Sequence, residues 1–122
     1  MSEEVKNLDA LINEIGFNIV EKIRTKGKEQ TKYKNFIDKV LGVLSNDGVY
    51  AYWVYCKANK IDDVFIDELK DLMKLVSNDI NDNDKEQFFQ NLSTNIHQLL
   101  FFKDMVEKAL IYARYHAKAM GD

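Results

Sequence analysis

The sequence predicts an all-α protein that folds as a single compact bundle of five to six helices. The chain has no proline, whereas an average usage of about 5% would give roughly six, so turn-rich sandwiches and barrels are disfavoured. Apolar side chains recur in steps of three and four along most of the chain, which is the helical period. A length of 122 residues suits one domain, which we place at residues 1–122.

The first two helices are predicted at about residues 4–25 and 30–45. The first has one apolar stripe, made of Leu8, Leu11, Ile12, Ile15, Ile19 and Ile23. The second has a similar stripe, made of Tyr33, Phe36, Ile37, Val40, Leu41 and Leu44. Cations in the last turn of the first helix suit the negative end of its dipole, and Gly27 is a plausible stop. The polar run 45–48 favours a break after the second helix.

The segment 49–56 is ambiguous by composition, because its β-branched and aromatic residues also suit a strand. No second strand-like run exists to pair with it. Its residues Val49, Tyr52, Trp53 and Cys56 have helical spacing. We therefore predict a buried third helix.

Three further helices are predicted in the second half of the chain, at about residues 62–79, 84–92 and 101–120. The inward-facing residues of the first two are Phe65, Leu69, Leu72, Met73, Val76, Phe88, Phe89 and Leu92. A polar loop is expected at 78–84, and Gly121 is expected to close the last helix. Periodicity leaves residues 93–100 open between a turn of helix and an irregular connection.

Composition excludes several classes of protein. No apolar run approaches the roughly 18 residues of a membrane span, and the acidic start of the chain lacks the features of a signal peptide. The single cysteine, Cys56, cannot form an internal disulfide. We therefore expect a cytoplasmic protein with no membrane partner.

Charge is unevenly distributed along the chain. The formal net charge is −3. Residues 1–21 carry −4 and residues 60–90 carry −5, whereas residues 22–39 carry seven basic side chains against two acidic ones. A mildly acidic chain can therefore still present one basic face.

The sequence favours no catalytic, cofactor-binding or metal-binding residues. Cys56 with His97 or His116 is the one combination of a nucleophile and a base that includes a thiol. Cys56 falls on an apolar helix face, where a free thiol is usually a small core residue. A thiol-dependent enzyme would instead require an exposed Cys56 with a depressed pKa. Two histidines without a carboxylate at ligand spacing do not indicate a metal site.

The basic segment 22–39 has the kind of clustered positive charge that binds phosphodiester backbones without reading sequence. Tyr33 lies within the segment and could stack on a base. The alternative is a solubilising surface with Tyr33 in the core. In the last helix, Arg114 and Lys118 are four residues apart and share a face, which is a fainter sign of anion binding.

Two blocks of the sequence, residues 32–53 and 107–119, resemble the small helical subunit of CRISPR type III-B (Cmr) RNA-targeting complexes. The first block runs from KYKNFIDKVL through LSNDG into YAYW, and the second is EKALIYARYHAKA. The first combines a Lys-Tyr pair, an amphipathic helix with a basic end, a break and an apolar helix. The second resembles the closing helix of that family, with aromatic and basic residues alternating with alanines.

The resemblance implies a non-catalytic subunit in antiviral defence that packs beside copies of itself, associates with the other subunits of the effector, and supports the duplex of crRNA and target RNA. It implies backbone contacts from five residues, namely Lys32, Lys34, Lys39, Arg114 and Lys118. Lys26 and Lys28 are added on charge grounds alone. The resemblance implies no cofactor.

A helical protein–protein adaptor with no nucleic-acid role is the alternative function. Its expected feature is an exposed apolar patch that includes Tyr50, Trp53, Tyr112 or Tyr115.

Overall fold

The computed structural model of the chain describes residues 2–77 and 85–120. The described residues are helical and contain no strand, which confirms the predicted all-α bundle. The helices are α1 (Ser2–Arg24), α2 (Gln30–Asp47), α3 (Val49–Ala58), α4 (Asp62–Phe65), α5 (Lys70–Val76), α6 (Lys85–Leu92) and α7 (Ile96–Ala119). Short 3-10 turns occupy Gly27–Glu29 and Asp67–Leu69. The predicted loop at 78–84 and the predicted stop at Gly121 lie outside the described residues.

The first three helices follow the predicted periodicity. The stripes of α1 and α2 face a common core, with Leu8, Leu11, Phe36 and Leu41 partly buried at its edge. Gly48 ends α2 with φ of 98°, a conformation that favours glycine, and its N–H donates to the carbonyl of Leu44. The ambiguous segment is helical, and its four predicted inward residues, Val49, Tyr52, Trp53 and Cys56, are all buried.

The single helix predicted at 62–79 is wrong. The segment is divided into α4, a 3-10 turn and α5. Val64, Phe65 and Ile66 are consecutive and fully buried, and three consecutive positions cover more than half the circumference of a straight helix. The break after α4 allows all three side chains to reach the core. The hydroxyl of Tyr52 donates to the Phe65 carbonyl at 2.6 Å and so satisfies a buried acceptor at the end of α4.

The stretch 93–100 divides at Asn95. Its side-chain oxygen accepts a hydrogen bond from the Gln98 N–H at 3.1 Å and caps α7, which begins at Ile96. Helix α7 therefore starts five residues before the predicted Phe101. Periodicity does not reveal this first turn, because Ile96 and Leu100 are exposed.

Helices α1 and α7 run parallel and cross closely at Gly16. A Cβ atom added at Gly16 would lie 2.7 Å from the Ala109 carbonyl oxygen and 2.9 Å from the Ala113 nitrogen. Further along both helices, the Phe17 ring lies 5.5 Å from the ring of His116. The glycine therefore permits a contact between two helix backbones that any side chain would prevent.

Helix α2 runs antiparallel to α7, so its N-terminal end meets the C-terminal ends of α1 and α7. Arg24, Gln30, Lys34 and Met120 accordingly line one pocket at this end of the bundle. Within the described ranges, no helix has the length and apolarity needed to cross a bilayer.

Candidate nucleic-acid interface

Two side-chain contacts fix the register between α2 and α7. The Ser45 hydroxyl donates to a carboxylate oxygen of Glu107 at 2.7 Å, and the Arg114 guanidinium lies 3.4 Å from a carboxylate oxygen of Asp38. The second contact is seven residues before the first on α2 and seven residues after it on α7. Lys34 lies about one turn before Asp38 on α2, and Lys118 lies about one turn after Arg114 on α7. The same register therefore places Lys34 opposite Lys118.

This register assembles a basic surface from distant parts of the chain. We call Lys34, Asp38, Arg114 and Lys118 the α2–α7 face. Lys34 is half-buried, the Arg114 side chain is 39% exposed and Lys118 is exposed. The face therefore holds three cations and one carboxylate, and the carboxylate, Asp38, is paired with Arg114.

Lys32 and Lys39 lie on a different side of α2. The Lys39 ammonium lies 5.4 Å above the Phe36 ring, which packs edge-on against Tyr55 of α3. Lys32 is seven residues before Lys39 and shares its side of the helix. We call Lys32 and Lys39 the α2–α3 face. The predicted contact residues therefore do not form one surface.

Lys26 and Lys28 differ sharply in their surroundings. The Lys26 ammonium is hydrogen-bonded to Asp63 and lies 5.0 Å above the Tyr33 ring, and this hydrogen bond raises the pKa of the ammonium. Its side chain is 19% exposed. Because Asp63 belongs to α4, the hydrogen bond joins the turn after α1 to that helix. Lys28 is exposed in the 3-10 turn, and no carboxylate of the described residues pairs with it.

Tyr33 is not available to stack on a base. Its side chain is 6% exposed, and burial raises the pKa of its hydroxyl. The stacking expectation is wrong, and the alternative that places Tyr33 in the core is confirmed. The helical stripe of α2 already includes this position, so the buried assignment follows from its spacing to Ile37 and Val40.

The candidate catalytic groups, Cys56, His97 and His116, differ in their burial and in their local contacts. Cys56 is fully buried, as expected for a core thiol, and burial raises the pKa of its thiol. His116 shares a hydrogen bond of 3.0 Å with the side-chain oxygen of Asn13, while His97 is exposed. In the part of the chain that the structure describes, no group of three His, Cys, Asp or Glu side chains could hold a metal ion.

The aromatic residues of the adaptor hypothesis divide into two groups. Trp53 is a core residue, 6% exposed and stacked on Phe89 with ring centroids 5.0 Å apart. Tyr50, Tyr112 and Tyr115 are exposed. Tyr112 and Tyr115 line a pocket of about 270 Å³ between α7 and α1, which contributes Asp9.

Sequence reasoning missed two residues next to the α2–α7 face. Arg24 is one of the seven cations of the basic segment 22–39, but it is not among the predicted contact residues. Gln30 gives no signal of its own, since it becomes informative only when the ends of α1, α2 and α7 converge.

Comparison of the chain with protein-family models, with curated proteins and with solved structures finds no match.

Proposed function

We propose that this protein is a non-catalytic small subunit of a CRISPR type III-B (Cmr) effector complex. In this proposal it supports the duplex of crRNA and target RNA by binding phosphates of the RNA backbone, and it acts beside copies of itself and the other subunits in antiviral defence in the cytoplasm. The α2–α7 face is the surface that contacts the RNA.

The observation that supports the proposal most is the convergence of Lys34, Arg114 and Lys118 on one face. These residues come from the two blocks that resemble the Cmr small subunit, and packing of α2 against α7 brings the blocks together. Backbone phosphates are recognised by fixed cations and need no base-specific groups. A helical surface with three cations in register suits that role.

The overall charge of −3 does not oppose this function. At physiological ionic strength, exposed charges more than about 8 Å apart are largely screened. The net charge is a sum over the whole chain, and residues 22–39 carry seven basic side chains against two acidic ones. A phosphate near this segment responds chiefly to the charges close to it.

The association with guide RNA is tested by purifying the tagged full-length chain from its native cells and sequencing the RNA that accompanies it. The proposal predicts short RNAs with a repeat-derived end, together with the large subunits of the effector. Recovery of the chain in stable protein complexes without RNA would contradict it.

A protein–protein adaptor is the second candidate, and the exposed Tyr112 and Tyr115 favour it. The two functions predict different responses to Tyr115→Ala. An adaptor should lose the binding of its protein partners on this substitution, and it should bind no RNA before or after the substitution. An RNA-supporting subunit would keep its salt-sensitive RNA binding, because the α2–α7 cations remain.

A further inference from the structure

The outer face of α7 carries side chains at the spacing of a helix that packs along another helix. The residues follow alternating steps of four and three, which is the heptad spacing of a coiled-coil seam. We call them the outer seam of α7, and they are His97, Phe101, Asp104, Lys108, Ile111 and Tyr115. Ile111 is half-buried and the other five are exposed, so no other helix of the described residues covers this face.

The pocket at Tyr112 and Tyr115 forms a hole in the outer seam. Its lining from α7 consists of Lys108, Ile111, Tyr112 and Tyr115, which are residues i, i+3, i+4 and i+7 of one helix. In a coiled coil, four residues of one helix form the hole that receives a single side chain of the facing helix. The pocket has a volume of about 270 Å³, and Asp9 of α1 borders it. It therefore has room for a large side chain from a second helix.

The centre of the outer seam carries one charge of each sign. Asp104 and Lys108 form an ion pair of 3.0 Å within α7, and their side chains are 61% and 54% exposed. In a parallel alignment of two copies of α7, each of these charges would face its own like. In an antiparallel alignment centred on Val106, Asp104 of each copy faces Lys108 of the other. Because like charges in contact disfavour an alignment, the centre of the seam selects the antiparallel one.

We propose that α7 pairs antiparallel with α7 of a second copy of this chain, and that Phe101 of each copy enters the hole of the other. The alignment that places Asp104 opposite Lys108 also places Phe101 opposite Ile111, which lies in the lining of the hole. The position of the hole and the position of the charges therefore specify the same register. Such a two-fold contact uses the same surface on both copies and closes at two.

Apolar contacts must drive this pairing. Phe101 is 44% exposed, and Leu100 and Tyr112, which flank the seam, are 54% and 38% exposed. Two carboxylates at the border add like charge to both copies, namely Glu107, which accepts a hydrogen bond from Ser45, and Asp9. The pairs of Asp104 with Lys108 accordingly fix the register more than they supply affinity.

The contact is small, since it consists of one helix face about 27 Å long from each copy. Specific interfaces at the small end of the range are weak, and we expect a dissociation constant on the order of 100 μM. This inference goes beyond the proposed function, because it follows from the outer seam and requires no RNA.

Sedimentation equilibrium of the full-length chain, from about tenfold below to about tenfold above that dissociation constant, tests the pairing. We expect an equilibrium between monomer and dimer. Lys108→Asp places four carboxylates at the centre of the pair and should raise the dissociation constant about tenfold or more. Phe101→Ala, which leaves the hole empty, should also weaken the pairing. A wild type that stays monomeric over the whole range would overturn the proposal.

Lys57→Asp is the matched control for Lys108→Asp. Lys57 lies on α3, its side chain is 55% exposed, and it is 3.9 Å from one carboxylate partner, Asp62. The control makes the same change in net charge and should pair like the wild type. Equal weakening by the two variants would assign the effect to net charge and would overturn the seam.

A mixture of Lys108→Asp with Asp104→Lys is a sharper test. Each variant alone brings like charges together, whereas in the mixed pair every cation of one copy faces a carboxylate of the other. The mixture should therefore associate at least as tightly as the wild type. Failure of the mixture to associate would contradict the seam.

The register is measured with a nitroxide attached at His97→Cys in one copy and NMR detection of a second, isotope-labelled copy. Cys56 is buried and does not compete for the label. The antiparallel register predicts broadening of the amides around Tyr115, and broadening around position 97 would overturn it. RNA binding by a chain that is always monomeric would refute the seam and leave the RNA contact of the α2–α7 face standing. Pairing by a chain that binds no RNA would refute that contact and leave the seam standing.

Discussion

Arg114 of α7 lies 3.4 Å from Asp38 of α2, and this contact joins residues 32–53 and 107–119, the two sequence blocks on which the proposed function rests. The blocks are more than fifty residues apart in the sequence and adjacent in the structure. Of the cations in these blocks, Lys34, Arg114 and Lys118 belong to the α2–α7 face, whereas Lys32 and Lys39 lie on the α2–α3 face. Asp38 is the one carboxylate within the α2–α7 face as we define it.

Removal of the Asp38 charge should strengthen RNA binding. In Asp38→Asn, Arg114 loses its ion pair, and the repulsion between the carboxylate and a phosphate disappears. We expect affinity for an RNA duplex to rise roughly fivefold at low salt, equivalent to about 1 kcal/mol. Stability should fall by no more than about 1 kcal/mol, because the pair is exposed. Fluorescence anisotropy with a labelled duplex measures the affinity.

Glu29→Gln is the control for that experiment. It removes the same charge from an exposed ion pair, since Glu29 lies 3.7 Å from Lys32 outside the α2–α7 face. Its effect on RNA affinity should be clearly smaller. If the two variants bind RNA equally well, the gain reflects net charge alone and not the position of Asp38.

A side chain at Gly16 should destabilise the fold. Gly16→Ala places a Cβ 2.7 Å from the Ala109 carbonyl oxygen, so α1 and α7 must separate. We expect a loss of about 1–3 kcal/mol in the free energy of unfolding, as for other overpacked sites. Gly42→Ala is the control: it also lies within a helix, and a Cβ there meets no atom within 4 Å. That variant should gain up to about 1 kcal/mol. Urea denaturation monitored by circular dichroism measures both.

The hydroxyl of Tyr52 should contribute to stability through its hydrogen bond to the Phe65 carbonyl. Tyr52→Phe leaves a buried acceptor without its donor, and we expect a loss of about 1–3 kcal/mol. Tyr50→Phe on the same helix, where the side chain is exposed, should be nearly neutral. Equal effects of the two substitutions on thermal denaturation would show that the buried hydrogen bond of Tyr52 makes no net contribution to stability.

Ionisation of Tyr52 should also make the fold sensitive to alkali. Burial raises the pKa of this hydroxyl well above its ordinary value. A group whose folded-state pKa is raised favours folding while both states are protonated, and this contribution declines once pH exceeds the unfolded pKa of about 10. The wild type should therefore lose more stability than Tyr52→Phe between about pH 9 and pH 11. Parallel losses in the two proteins would contradict this assignment.

Cys56 should be inert in the native state. Its thiol is fully buried, and burial raises its pKa, so little thiolate is present near neutral pH. Labelling with a thiol reagent should proceed at the rate of unfolding and should reach one equivalent in denaturant. Rapid labelling of the folded protein would instead revive the thiol-dependent enzyme.

The sequence predicts most of the helices because their local signals agree with their packing. The stripes of α1 and α2 and the helical spacing in α3 each match a buried face. The prediction of a single helix over 62–79 is wrong because its local pattern disagrees with the packing. Val64, Phe65 and Ile66 are all buried, and no single helical face contains all three. Ile96 is exposed in the first turn of α7, so only the Asn95 cap marks where that helix begins.

The candidate site is less predictable because it depends on the register between helices. The charge of segment 22–39 is visible in the sequence, but its division between two sides of α2 is not. Lys34 joins Arg114 and Lys118 only because α7 packs antiparallel to α2, and Lys26 is held by Asp63 from a distant turn. Tyr33 is the exception, since the stripe of α2 already places it in the core.

The central claim is that RNA contacts the α2–α7 face, and the salt dependence of duplex affinity tests it most directly. The measurement compares wild type with Lys34→Gln/Lys118→Gln on that face and with Lys32→Gln/Lys39→Gln on the α2–α3 face, two variants of equal net charge. We predict that the first variant reduces the slope of log affinity against log salt by about 1.8, equivalent to two phosphate contacts on a duplex, and that the second leaves the slope unchanged. Equal slopes for the two variants, or a wild-type affinity that does not change with salt, would contradict it.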